Sequence, residues 1–171
     1  MAYAALGAAE LLAYDPGHPA ARKLVTDYAA SIEAPTGDTA WPWPQPRLTH
    51  GNAVLAEAMI AAGVALDDAT LRQRGLDLLA WLVDYETADR RLSPTPIAGR
   101  GPEDAQPAFD QPPVQVSALA DACARAAVVD NDPMWSDGVR ADGVNSSQCA
   151  ESTLAVISTL QQARRLPTVL Q

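Results

Sequence analysis

Three loop-to-helix junctions gather the side chains of this sequence that could do chemistry. The first runs from Trp41-Pro42-Trp43-Pro44 to Leu48-Thr49-His50-Gly51-Asn52. The second is Phe109-Asp110-Gln111-Pro112-Pro113, and the third is Asn145-Ser146-Ser147-Gln148-Cys149-Ala150-Glu151. Each sets aromatic, amide or carboxylate groups just before an apolar helical run, and loops that start helices on a rigid scaffold are where binding and catalytic groups tend to sit. The mixture suits a sugar. An aromatic ring covers the apolar face of a pyranose, while amides and acids pair with its hydroxyls. The candidate ligand contacts are Trp41, Trp43, His50, Asn52, Phe109, Gln111, Asn145 and Gln148.

Each group also has a purely structural reading. Asp110 or Gln111 caps a helix whose first turn holds the prolines; alternatively Asp110 accepts from a sugar hydroxyl or acts as an acid or base. Glu151 lies in a helical first turn, where the dipole favours a carboxylate. Asn145, Ser146, Ser147 and Gln148 form either a ligand-binding run or an ordinary turn. Trp41 and Trp43 alternate with prolines, so they project from an extended segment, either as a plug over helix ends or as a stacking platform in a cleft. His18 and His50 are the only histidines. There is no HExxH, CxxC, GxSxG, phosphate-binding loop or dinucleotide fingerprint, so neither a metal nor a cofactor is expected.

Six helical segments must position these groups. They are read at about 2–14, 19–33, 51–64, 68–85, 113–128 and 148–165, from apolar spacing, caps and breakers. Asp67 or Asp68 caps the fourth, whose core stripe is Leu71, Gly75, Leu78, Leu79 and Leu82. The fifth shows Val116, Leu119, Ala120, Cys123 and Ala127 at helical spacing. No alternating strand pattern competes. Short linkers join helices one to two and three to four into antiparallel αα-hairpins, and long polar loops (34–49, 87–112, 130–147) separate the hairpins. The expectation is one all-α domain over 1–171, with αα-hairpins in an incomplete toroid-like arc.

Composition agrees. Apolar residues make up 48% of the 171, but aromatics only 5%, so Ala, Leu and Val fill the core, and abundant Ala favours helix. A formal net charge of -9 argues against nucleic acid, whose phosphates need Lys and Arg. Cys123 and Cys149 fall in apolar helical runs and read as reduced, buried thiols rather than a disulfide framework. The first fourteen residues lack a basic start and contain Glu10, unlike a signal peptide, and no run is long and apolar enough to span a membrane. A cytoplasmic location is expected.

Taken in order, the three junctions resemble a bacterial family of helical-toroid proteins related to the six-hairpin glycosidases, whose members are described as glycosyltransferases or encoded beside them. Its pattern reads Trp-x-Trp-Pro-Glu-x-x-Leu-Thr-Tyr-Asp-Asn-Ala, then Phe-Asp-Gln-Gln-Pro-Ile-Glu-Ala, then Asn-x-x-Gln-Gly-Ala-Glu-Ser-Thr-Leu-Ala, and the likeness covers about residues 41–165. Gln45, Gly51 and Gln115 stand where that pattern has carboxylates, His50 where it has Tyr, and Cys149 where it has Gly. The segment from Trp135 to Val144 is short, and six helices are half of a full six-hairpin toroid. The resemblance implies a shortened carbohydrate-active relative, in which Asp110 and Glu151 are the matched acids left for the pair that glycoside cleavage needs. The alternative is a non-catalytic helical module that binds a protein partner.

Two further expectations follow. Trp41, Trp43, Asp110 and Glu151 should lie at one end of the helix arc. Uncapped terminal hairpins, and a first helix exposing Tyr3, Leu6, Leu11 and Leu12 with few charges, predict a homodimer.

Overall fold

The computed structural model describes residues 1–32, 40–88, 91–104, 110–130, 139–140 and 143–144. The sixth predicted helix (148–165) lies outside the described residues, as do Phe109, Asn145, Gln148, Cys149 and Glu151.

The described chain is all-α in character. Helix α1 spans Ala2–Tyr14, α2 Pro19–Ser31, α3 Asn52–Ala65, α4 Ala69–Tyr85 and α5 Pro113–Asp130. Two antiparallel ladders of two residues per strand, Thr87–Ala88 with Arg91–Leu92 and Val139–Arg140 with Gly143–Val144, were not expected. They decorate the connections and leave the helical class unchanged.

Local chemistry sets the helix ends. His18 Nδ1 accepts from Ala21 N at 3.2 Å, and Pro19 fills the first position of α2, where a missing N–H costs nothing. His18 is therefore a cap. Asp68, rather than Asp67, caps α4 by accepting from Leu71 N at 2.9 Å, while Asp67 turns the chain with a φ of 55°.

Helix α3 organises the molecule. It packs against α1, α2, α4 and α5. Eleven of its fourteen residues are consequently buried, where its sequence suggested a single face of Leu55, Met59 and Ala62. A helix apolar on every side belongs in a core. Its small side chains, Ala56, Ala58, Ala61 and Gly63, let neighbours come close. The α3–α4 contact is the tightest. A Cβ on Gly63 would meet Arg72 N at 2.5 Å, and one on Gly75 would meet Ile60 N at 2.8 Å. The predicted α4 stripe is buried as expected, with Leu79 and Leu82 fully enclosed.

Candidate functional site

Helices α1, α3 and α5 begin at the same end of the molecule, which brings the first two junctions together. The link is Gln115, in the first turn of α5 and 3% exposed. Its Oε1 accepts from Gly51 N at 2.9 Å and its Nε2 donates to Thr49 O at 2.6 Å. Gly51 carries a φ of +67° as the N-cap of α3, a conformation glycine adopts without a Cβ penalty. On the α1 side, the Tyr3 hydroxyl sits 3.0 Å from where a Cβ on Gly51 would be. Thr49 and Gly51 thus meet the start of α5; of the four residues expected at one end, Trp41, Trp43, Asp110 and Glu151, Glu151 lies outside the described residues.

Gly51 and Gln115 form a neutral clamp. An amide is the one side chain of this shape that can accept from one backbone group and donate to another at once.

The two indoles are core residues, which corrects the reading of Trp41 and Trp43 as an exposed stacking platform. Trp41 is 9% exposed and Trp43 1%. Trp41 meets Trp81 and Tyr85 edge-on at 5.2 and 5.4 Å, and Trp43 stacks on Trp81 at 6.0 Å. Trp81 and Tyr85, one turn apart on α4, stack on each other at 5.0 Å. These rings have large apolar faces to bury, and the extended Pro-Trp-Pro segment lies across them. Trp41 Nε1 donates to Gln45 O at 2.8 Å. Trp43 Nε1 is buried without a partner among the described residues.

Asn52 is also committed to the fold. Its Oδ1 accepts from Thr49 N at 2.7 Å and its Nδ2 donates to Thr49 O at 3.1 Å, closing the turn that precedes α3. His50 is exposed. Beside these residues lies a cavity of about 450 Å³, walled by Trp43, Gln45, Thr49, His50 and Asn52, with Tyr3 and Tyr28 opposite. Tyr28 donates to Leu55 O at 3.2 Å, and its burial pushes the phenol pKa upward.

Asp110 and Gln111 do not line this cavity. Asp110 is exposed in a left-handed conformation (φ 62°), with its carbonyl accepting from Ile97 N at 3.0 Å. Gln111 Nε2 donates to Ser93 Oγ at 3.1 Å. Gln111 thereby joins a buried polar network that sequence reading missed. Arg100, 1% exposed, donates to Ser93 O at 2.9 Å and lies 5.9 Å over the Tyr85 ring. Its backbone bridges Leu48, at 2.7 and 2.9 Å. Glu86 Oε1 accepts from Thr95 N at 2.9 Å and Thr95 Oγ1 at 2.5 Å. Burial raises the Glu86 pKa, opposed by the two Thr95 bonds and by Arg100. The available signal was Ser93-Pro94-Thr95-Pro96: prolines supply no N–H, so the polar residues between them and distant side chains must satisfy the loop. The network holds the second junction against the first.

A second concavity, of about 710 Å³, runs between α1, α3 and α5 past Tyr3, Leu6, Val114, Ala118 and Val128. Arg125 lies along it, donating to Glu57 Oε1 at 3.0 Å and Glu10 Oε1 at 2.6 Å. Burial raises the Glu57 pKa, and Arg125 opposes the rise.

Among the described residues, no cluster of His, Cys, Asp and Glu is arranged to hold a metal ion, and no helix is long and apolar enough to cross a membrane. No family model, curated protein or solved structure matches this chain.

Proposed function

We propose that this chain is a carbohydrate-active protein of a bacterial glycan pathway, acting in the cytoplasm as a glycan-binding relative of the six-hairpin helical toroids. The observation that carries the reading is the cavity at the start of α3. It combines the exposed ring of Tyr3 with amide, hydroxyl and imidazole groups (Gln45, Thr49, His50), the chemistry a sugar ring and its hydroxyls require. Binding is favoured over cleavage because none of its described lining residues is a carboxylate, and Gln45, Gly51 and Gln115 cannot transfer protons as acids do. Asp110 and Glu151 are the acids a hydrolytic reading would rely on. A glycan array followed by saturation-transfer NMR on the purified chain tests the proposal. Glycan signals that weaken in Gln45→Ala support it, and silence across the array rejects it. Clear glycoside hydrolysis, abolished by Asp110→Asn or Glu151→Gln, would overturn the choice of binding over catalysis.

One observation favours a second reading, as an interaction module whose partner is another copy of this chain. Met1, Tyr3, Leu11 and Tyr14 on and beside α1 are all exposed, Tyr14 at 91%, and Tyr3 also lines the groove beside α5. Exposed apolar surface of this kind marks interfaces, and two-fold pairing is the commonest symmetry. Sedimentation equilibrium distinguishes the outcomes. A dimer that Tyr14→Lys dissociates supports the pairing, and a monomer at millimolar concentration counts against it.

A further inference from the structure

We infer that the groove between α1 and α5 is the docking site of residues 148–165 of the same chain, which lie in it as an amphipathic helix. The inference concerns a surface apart from the cavity at the start of α3 and does not rest on the carbohydrate reading.

The groove has the length of a helix. The concavity of about 710 Å³ shares Glu10, Arg125 and Val129 with another of about 320 Å³, so the two make one depression. Its floor is a single face of α3, with Val54 and Glu57 in the larger part and Ala61 and Val64 in the smaller. That i, i+3, i+7, i+10 spacing covers about 15 Å of helix axis. Helices α1 and α5 each pack on α3 and form the walls, and the Arg125–Glu10 bond ties the walls together. Tyr3, Val64, Val114 and Val128 line the depression and are exposed. Apolar side chains along a trough between two helices are what an amphipathic helix covers when it docks.

Three properties of residues 148–165 make them the occupant. Ala150, Leu154, Ile157 and Leu160 recur at i, i+4, i+7, i+10, which in a helix is a stripe of about 15 Å, the length of the α3 floor. The chain that leads to them leaves α5, itself a wall of the groove, at Asp130. With the hairpin from Val139 to Val144 folded back on itself, about eleven linking residues remain, enough to span up to about 35 Å. Since α5 from Val114 to Val128 is about 21 Å long, either end of the groove is within reach. Finally, the tether itself favours this segment. A flexibly linked segment is presented at an effective concentration on the order of millimolar, so it outcompetes a second copy of the chain, or an unlinked partner, at micromolar concentration.

The test is disulfide trapping in the full chain with Cys149 as the reporter. Tyr3→Cys, Ala13→Cys, Val114→Cys, Ser117→Cys, Ala124→Cys and Val128→Cys are made one at a time, all at exposed positions of the groove walls. Cys123 is buried and stays out of reach. Mild oxidation joins cysteines whose Cα atoms come within about 7 Å. The expected result is an intrachain disulfide to Cys149 in variants at one end of the groove, seen by mass spectrometry of the monomer. Lys23→Cys, at an exposed position of α2 outside the groove, should form none. A bond in the Tyr3, Val114 or Ser117 variant puts Glu151 at the end where α3 and α5 begin. One in the Ala13, Ala124 or Val128 variant puts it at the opposite end, and either supports the inference. Leu154→Asp, which sets a charge in the apolar stripe, should abolish the bond and lower Tm by roughly 5 °C or more. Disulfides formed only between chains give the groove to a second copy and overturn the inference. It is overturned equally if none of the six variants bonds, if Lys23→Cys bonds as readily, or if trapping is indifferent to Leu154→Asp.

Discussion

Replacing Gly75 by alanine sets two physical effects against each other, and the structure decides the sign. Gly75 lies inside α4. Helix propensity alone makes Ala better than Gly there by about 0.8–1 kcal/mol, and burying one more methyl adds about 0.8 kcal/mol. Against this, the new Cβ would stand 2.8 Å from both Ile60 Cγ1 and Ile60 N, and 3.0 Å from Ala56 O. Ile60 N and Ala56 O are the two ends of an i to i-4 pairing within α3. The methyl would therefore press on helix backbone rather than on a side chain that can swing away. Carbon contacts are comfortable at about 3.5–4.0 Å, so α4 must retreat by more than half an ångström along the tightest interface of the core. Such overpacking typically costs 1–3 kcal/mol and occasionally more. Because backbone on both helices must move, we place the cost above the gain and expect net destabilisation of about 1–2 kcal/mol, or roughly 2–8 °C in Tm. Gly7 provides the internal control. It sits on the exposed side of α1, with nothing within 4 Å of a Cβ, so Gly7→Ala should stabilise by about 0.5–1 kcal/mol. Urea denaturation of the two variants beside the parent is the assay. If Gly75→Ala matches Gly7→Ala in raising the midpoint, the close α3–α4 packing described here is wrong.

Gln115→Glu should lose about 1–3 kcal/mol at neutral pH, because a carboxylate cannot donate to Thr49 O and would face it at 2.6 Å; the deficit, read from denaturation midpoints, should shrink as acid restores a donor. Glu86→Gln tests the buried network through pH. Burial raises the Glu86 pKa above its ordinary 4.5, so its contribution to stability is full below that value and is lost as pH rises through the folded-state pKa. Wild-type stability relative to Glu86→Gln should therefore fall as pH rises above the ordinary 4.5 and through the raised folded-state pKa, and a pH-independent difference in calorimetric Tm would contradict the assignment. Asp110→Gly should raise stability by about 0.5–1 kcal/mol, since a φ of 62° strains any residue with a Cβ; a lower urea midpoint would show that the aspartate side chain stabilises the turn.

The five described helices were legible in the sequence because their signals are local. Pro19 after His18, Asp68 before Leu71, and the Leu71-Gly75-Leu78-Leu79-Leu82 stripe are each determined within a turn or two, and the observed bounds follow them to within about two residues. The use of each polar side chain was not legible. Trp41 and Trp43 face Trp81 and Tyr85 some forty residues away, and the Arg100 backbone bridges Leu48, fifty-two residues earlier. Nor did any local pattern mark Gln115 as the clamp on Thr49 and Gly51, more than sixty residues earlier. Propensity, capping and turn chemistry act between near neighbours along the chain, whereas burial, and with it the choice between a binding group and a core group, depends on which distant segments the fold brings together.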